Sequence, residues 1–386
     1  MDNPQNTASI PLDSLTLWEA FQEYGEQVLP IWHEQIYDKK HSLESRRYIG
    51  CKAKLVDWIF EMIAAHTHDC KSFCDIFAGT GSVANRAITC YNDVIVNDFL
   101  PSNNVMYQAF WGEGEWNLNK IIEYLDRYNM LNPKKLRDNY FSKSYGDMFF
   151  DNNVAKIVGY IREDLKKNRT KLSFKEYNIL LASLMYSIDR IANTLGHFEA
   201  YIKKEIAPQR FIMRLINAQS IPSVTIHQQD SNLLARQIHA DIVYIDPPYN
   251  SRQYSRFYHV YDNLVQWKKP QLFGAAHKPK EENMSDYCRS AAFNAFTDLV
   301  THLDAKYLVV SYNNTYKSKS SSSENKIKLE QIETVLRQCG NTQIFAHAHN
   351  PFNSGKTAFD DHKEYLFITE IDNERRNASF PTILCR

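Results

Sequence analysis

No charge of one sign dominates this chain of 386 residues: lysine and arginine together number 45, and aspartate and glutamate also number 45. A protein-wide basic field that would hold any polyanion is therefore excluded. No apolar run approaches the ~20 residues of a membrane span. The first residues, Met1 to Pro11, are polar and lack the apolar stretch of a signal peptide. The seven cysteines are odd in number and scattered, which speaks against a disulfide framework. Cys70 and Cys74 bracket Lys-Ser-Phe, with no second pair nearby to complete a zinc site, so no metal is expected. Internal repeats are absent too. These absences point to a soluble, cytoplasmic protein with reduced thiols.

What is there exceeds one typical domain of ~100–150 residues, so a large unit with a second lobe is expected. The hydrophobic fraction of 44% suffices for a core. Tyrosines (23) and phenylalanines (21) suit base stacking and core packing equally well. Charge is also unevenly spread. Leu131 to Ser220 carries 16 lysines and arginines against 9 acids, leaving an equal acidic excess elsewhere. A local phosphate-facing surface needs such asymmetry, and a solvated helical face would produce it as well.

Leu15 to Ile36 has the spacing of one or two helices, and a loop from Arg46 to Lys52 leads into an amphipathic helix, Leu55 to Ala65. Ser72 to Phe77 reads as a buried strand, Ala78 to Gly81 as a turn, Ser82 to Cys90 as a helix and Val94 to Val96 as a second strand. That order opens a parallel α/β sheet. From Trp111 to Ser220 charged helical segments take over, including Val154 to Lys167 and Phe174 to Ala192. Strand patterns return at Val224–Ile226, Asp241–Ile245, Tyr307–Ser311, Thr342–Ala346 and Glu364–Thr369, with a helix from Lys328 to Arg337. The Ser/Lys-rich stretch Lys317 to Ser323 reads as a mobile loop. The expected division is an N-terminal helical extension (1–44), a catalytic domain (45–110 and 222–386) and an inserted, mostly helical recognition lobe (111–221).

Two constellations carry chemistry. In the first, Asp75-Ile76-Phe77-Ala78-Gly79-Thr80-Gly81, two glycines at a strand-to-helix turn let backbone approach a ligand. Asp98, after the next strand, stands where a carboxylate can accept bonds from a ribose diol. A third glycine and a Gly-Lys-Ser/Thr ending are missing, which argues against a typical dinucleotide site and against a P-loop. The second, Asp246-Pro247-Pro248-Tyr249, follows the apolar strand Asp241–Ile245, beyond whose carboxyl end an open α/β sheet places ligands. Successive prolines stiffen the backbone and remove two N–H donors, leaving carbonyl acceptors. With a carboxylate and a flat ring beside them, they form a cup for a planar group bearing an NH2. The Asp246 carboxylate and the Pro247 carbonyl would take its two hydrogens, and the Tyr249 ring would stack on it.

With Tyr48-Ile49-Gly50-Cys51-Lys52 upstream, the order of motifs resembles the alpha arrangement of the Dam-like N6-adenine DNA methyltransferases. Asp189 to Phe198, Asn250 to Tyr254 and Ser311 to Asn314 are similar to stretches in a restriction-modification branch of that family. The resemblance implies a Rossmann-like fold and S-adenosylmethionine as cofactor. Tyr48 and Lys52 would neighbour its methionine portion, while Asp75, Phe77, Ala78, Gly79, Thr80 and Gly81 would line the pocket. Asp98 would take the ribose, and Asp230 with Ser231 would lie near the cofactor adenine. Asn250, Arg252, Gln253, Tyr254, Tyr258 and His259 would meet the flipped nucleotide, although Tyr258 and His259 also suit the packed start of a helix. The Asn193, Thr194, Gly196 and His197 stretch has resemblance but no physical role, His197 reading as a structural histidine.

Phosphate contacts are expected from Lys134, Lys135, Arg137, Lys166, Lys167, Arg169, Lys203, Lys204 and Arg210. The implied partners are duplex DNA and a separately encoded restriction endonuclease, with the enzyme acting as a monomer. RNA adenine-N6 or DNA cytosine-N4 methylation, a non-catalytic nucleic-acid-binding module and a Rossmann dehydrogenase are the competing readings. The dehydrogenase has no use for Asp-Pro-Pro-Tyr.

Overall fold

The computed structural model describes residues 12, 14–314, 324–348 and 362–381. The Lys317–Ser323 loop expectation lies outside the described residues. Seven strands form one sheet: β1 (Ser72–Asp75), β2 (Asp93–Asn97), β3 (Val224–His227), β4 (His239–Ile245), β5 (Asp304–Asn313), β6 (Gly340–Ala348) and β7 (Lys363–Ile371). Their spatial order is β3-β2-β1-β4-β5-β7-β6. Neighbours pair in parallel from β3 across to β5, while β7 runs antiparallel to both β5 and β6. Strand order therefore reverses between β1 and β4. At such a switch point the connections leave in opposite directions and open a crevice beyond the strands' carboxyl ends.

The strands read as continuous apolar runs because both faces are covered. Along β4, Ile242 and Tyr244 enter one core, and Val243 and Ile245 enter the other, as a period of two requires. The second core is closed by Phe296, Leu299 and Val300 of helix Ala292–His302 and by Ile332, Val335 and Leu336 of helix Leu329–Cys339. On the opposite face lie Ile59, Phe60 and Ile63 of helix Val56–His66 and Val83, Ala84 and Ala87 of helix Ser82–Ala87.

The 111–221 stretch contains helices Leu118–Asn129, Tyr140–Tyr145, Asn152–Lys167 and Phe174–Asp189 and no strand. It has no separate core: Ile161, Leu181 and Met185 belong to the cluster that holds Phe73 and Val96 of the sheet. The N-terminal helices Leu17–Tyr24 and Val28–Trp32 join that cluster through Leu17, Ala20, Val28 and Trp32. Most expected elements lie within a few residues of their observed bounds. Helix Phe174–Asp189 stops three residues early, where the Arg47 guanidinium binds the carbonyls of Asp189, Ala192 (3.3 Å) and Thr194 (3.2 Å). A cation at these carbonyls satisfies acceptors that the next helical turn would otherwise use. No helix among the described residues is long and apolar enough to cross a membrane.

Candidate active site

β1 and β4 deliver their final residues to the mouth of the switch point, where a cavity encloses about 1010 Å³ of open space, its entrance included. Its wall brings together Tyr48, Lys52, Asp75, Phe77, Ala78, Gly79, Thr80, Asp98, Asp230, Ser231, Asp246, Pro247, Pro248, Tyr249, Gln253 and Tyr254. These come from five stretches far apart in sequence.

The glycine turn is shaped by close packing. Gly81 sits at φ +77°, and a Cβ there would lie 2.6 Å from the Trp111 ring. It lies behind the cavity wall, so its smallness serves the turn itself. Gly81→Ala is expected to lower stability by about 2 kcal/mol, from overpacking and a positive φ together. A denaturant titration with an unmoved midpoint would show that Trp111 yields. Gly79, at φ +53°, has its carbonyl held by the Tyr107 hydroxyl (2.8 Å) and its N–H by Asp98 Oδ2 (2.9 Å). Asp98 Oδ1 takes the Leu100 N–H at 2.8 Å. Burial raises the Asp98 carboxyl, and those backbone donors draw it back.

Asp75 is the cavity's unfinished acceptor. Oδ2 accepts the Ala84 N–H at 3.1 Å, while Oδ1 is buried with no hydrogen-bond partner among the described residues. Burial, and then the charge of Asp246, lift this carboxyl well above the usual range. A buried carboxyl in that state favours its neutral form, and a cation placed against it would restore the charged form.

In the cup, Lys52 Nζ lies 2.9 Å from Asp246 Oδ1 and 3.2 Å from Glu364 Oε1. The Tyr249 hydroxyl bonds Asp246 Oδ1 and also meets Lys52. Asp246's contacts thus gather on Oδ1, and among the described residues no donor reaches the Pro247 carbonyl. Burial pushes the Asp246 carboxyl up to about 6; the Lys52 ammonium opposes this and Glu364 adds to it. The Tyr249 ring stands edge-on to Tyr312 (4.9 Å, 84°), with the Lys52 ammonium at its hydroxyl end, 4.7 Å from the ring centre. The tyrosine expected as an open stacking face therefore has its hydroxyl turned into the cup.

Other expected residues stand at different distances from the cavity. Ser231 is buried, its hydroxyl spent on the Ile76 carbonyl (3.0 Å), whereas Asp230 caps the next short helix through the N–H groups of Asn232 and Leu233. Gln253 is pinned to the Ser285 backbone in both directions, at 2.9 and 2.7 Å. Asn250 accepts the Arg252 N–H at 3.0 Å, and both side chains are half-buried beside the mouth.

Tyr258 and His259 are not in the cavity wall. Tyr258 is fully buried and stacks on Tyr48 (4.4 Å, 8°), whose other ring contact is Tyr254 at 5.5 Å. His259 bonds the Phe198 carbonyl (3.1 Å), and burial lowers its pKa to about 3. Both side chains therefore pack the helix start.

Several contributors carried no local signal. Tyr287 meets Phe77 edge to face at 5.0 Å and closes one wall. Glu364 reaches the cup from β7. The stretch around Asn193 and His197 acquires a structural account: Asn193 binds the carbonyls of Met148 and Ile202 (both 2.9 Å), Thr194 receives Arg47, and His197 stacks on Phe257 at 4.8 Å. Beside it, Asp189 accepts the Arg47 N–H (3.1 Å) and the Tyr261 hydroxyl (2.5 Å), which fixes the loop carrying Tyr48.

Known proteins resemble the chain along most of its length. The chain is 29% identical over 333 residues to the type II methyltransferase M.CviAII of Paramecium bursaria Chlorella virus 1, covering 84% of this chain and 98% of that one. It is also 29% identical over 341 residues to the type II methyltransferase M.NlaIII of Neisseria lactamica, with the same coverage. The modification methylase StsI of Streptococcus sanguinis is 32% identical over 316 residues, 76% of this chain but 46% of that longer protein. The family model of D12 class N6 adenine-specific DNA methyltransferases matches residues 48–323, from the Tyr48 loop through the cup. The chain belongs to the D12 class of N6 adenine-specific DNA methyltransferases.

Proposed function

We propose that the chain moves a methyl group from S-adenosylmethionine to the N6 amino group of an adenine turned out of duplex DNA, as the modification partner of a separately encoded restriction endonuclease. Family membership itself carries a methyl donor and DNA as the acceptor. The type II names of the most similar relatives support the restriction-modification setting. The observation that carries the site assignment is that Asp246, Pro247 and Tyr249 open into the same cavity as Gly79, Asp75 and Asp98.

The residues present fit the donor. The unpaired Asp75 oxygen suits the ammonium of a methionine end, Asp98 suits ribose hydroxyls, and Phe77 with Tyr287 offers an apolar wall for a purine beside Asp230. When bound, S-adenosylmethionine supplies a methyl carbon made electrophilic by positive sulfur.

The chain's own work is alignment. Turning a base out of the duplex costs a few kcal/mol, and stacking on an aromatic ring returns about 1–3 kcal/mol. Tyr249 is the ring at hand, and the arriving amine takes the place of its hydroxyl against Asp246. The Asp246 carboxylate and Pro247 carbonyl then hold the two amino hydrogens, turning the nitrogen lone pair toward the methyl carbon. No thiol is needed for attack at nitrogen. Asn250, Arg252, Gln253 and Tyr254 form the lip that receives the nucleotide.

The 111–221 region acts as the recognition element. Its exposed Lys134, Lys135, Arg137, Lys166, Lys167, Lys203 and Lys204, with half-buried Arg169 and Arg210, supply phosphate contacts. The enzyme acts as a monomer in the cytoplasm.

The direct test is to incubate purified protein with duplex DNA and tritiated donor, then digest the product to nucleosides. Label in N6-methyladenine is expected; label confined to cytosine, or found with folded RNA in place of DNA, would overturn the reading. Because Asp246 must be ionised to accept the amine, and its carboxyl titrates near 6, the transfer rate should fall as pH drops through about 6. A rate flat across that window would remove Asp246 from the acceptor role.

A further inference from the structure

We propose that Glu364 is a positioning residue: it holds the charge of Lys52 so that Asp246 is released to accept the target amine. The proposal rests on the assignment of Asp246 above and goes beyond it.

One buried ammonium lies between two carboxylates. Lys52 is 6% exposed, Glu364 4% and Asp246 14%. A lysine paired with Asp246 alone would neutralise it and weaken it as an acceptor for the adenine amine. A second carboxylate at 3.2 Å gives the ammonium somewhere else to stay.

Glu364 is fixed independently of Lys52. It sits in β7 opposite Asn313 of β5, and the Ser311 hydroxyl donates to its Oε1 at 2.7 Å. The Tyr249 hydroxyl lies 3.4 Å from the same oxygen. A carboxylate buried in the interior of a sheet is expensive to keep, and an apolar side chain would serve packing better. Its retention next to the cup is explained if it carries the cation during transfer.

The groups facing Asp246 are Lys52 from the loop before helix Val56–His66, Glu364 from β7, Tyr244 from β4, Asp75 from β1, and Tyr249 and Tyr254 from the segment after β4. The charge of Glu364 raises the Asp246 carboxyl. Removing its charge must therefore lower that carboxyl's titration.

The test compares Glu364→Gln, Lys52→Met, the double variant and Asp246→Asn in single-turnover methylation of a plasmid bearing the target site. Calorimetric binding of the donor is measured alongside. Glu364→Gln is expected to slow transfer by at least tenfold, to leave donor affinity within about threefold, and to move the acid limb of the rate profile down by about one pH unit. The double variant should be no slower than Lys52→Met, because Glu364 acts through that lysine.

A wild-type rate and limb for Glu364→Gln, or multiplied losses in the double variant, would overturn the proposal. If Glu364→Gln does not fold, Ser311→Ala removes the tether and keeps both charges in place. A rate lowered about threefold supports the proposal, and an unchanged rate overturns it. Asp246→Asn separates the two levels. Should that variant still transfer at the wild-type rate, the cup assignment falls and this proposal with it. Should it be inactive while Glu364→Gln is normal, only the role of Glu364 falls.

Discussion

Asp246→Ala is expected to lower the rate of methyl transfer by about 10³-fold or more, since removing one preorganised polar group at a transition state already costs 10²–10³. The loss should fall on the chemical step. Lys52 keeps Glu364 at 3.2 Å, so the truncation leaves no buried ammonium without a partner. The wall proposed for the donor, which includes Tyr48, Asp75, Gly79 and Asp98, keeps its shape. Donor affinity, read by calorimetry, should therefore change by less than about threefold, and the thermal midpoint should hold or rise as one buried carboxylate disappears. Residual transfer above a tenth of the wild-type rate would remove Asp246 from the mechanism. A collapse of donor binding would instead place this carboxylate among the donor's ligands.

The second large effect is structural and lies away from the cup. Asp189→Ala is expected to destabilise the fold by about 2–4 kcal/mol. Asp189 is 3% exposed and accepts the Tyr261 hydroxyl and the Arg47 N–H, with the Arg47 guanidinium nitrogen 3.5 Å away. Truncation strands a fully buried phenol and releases the loop on which Arg46, Arg47 and Tyr48 are strung. Tyr48 is sandwiched by Tyr254 and Tyr258 and touches the cavity beside Gly79, so donor affinity should weaken along with stability. Chemical denaturation and donor titration on the same preparation check both. A variant that unfolds normally but binds donor poorly would mean that the loop, and not the core, depends on Asp189.

Asp246 and Glu364 differ in how visible they were in the sequence. Asp246 was legible because its signal is local: an apolar strand, then two prolines and a tyrosine, where an α/β sheet binds ligands. The glycine turn and Asp98 were legible for the same reason, as were the strands β1, β2 and β4 around them.

Glu364 was not. It appeared only as the first residue of a late strand, and its place at the cup depends on β7 inserting between β5 and β6, which follows from long-range pairing. Tyr287 lay in a stretch with no motif at all. For Tyr258 and His259, adjacency to the cup suggested contact with the nucleotide, but a helix beginning at His259 turns both side chains into the core. The Asn193–His197 stretch was recognisable without a reason until the loop from Arg46 was seen folded onto it.

The helices of the basic region share one continuous interior with the sheet. That region is consequently not a detachable cassette. Transplanting 111–221 from a relative, to test its proposed recognition role, would graft a foreign half-interior onto Phe73 and Val96, and the chimera would have to be repacked. Changes confined to the solvent-facing lysines escape this coupling, so they are the practical handle for testing the proposed phosphate contacts.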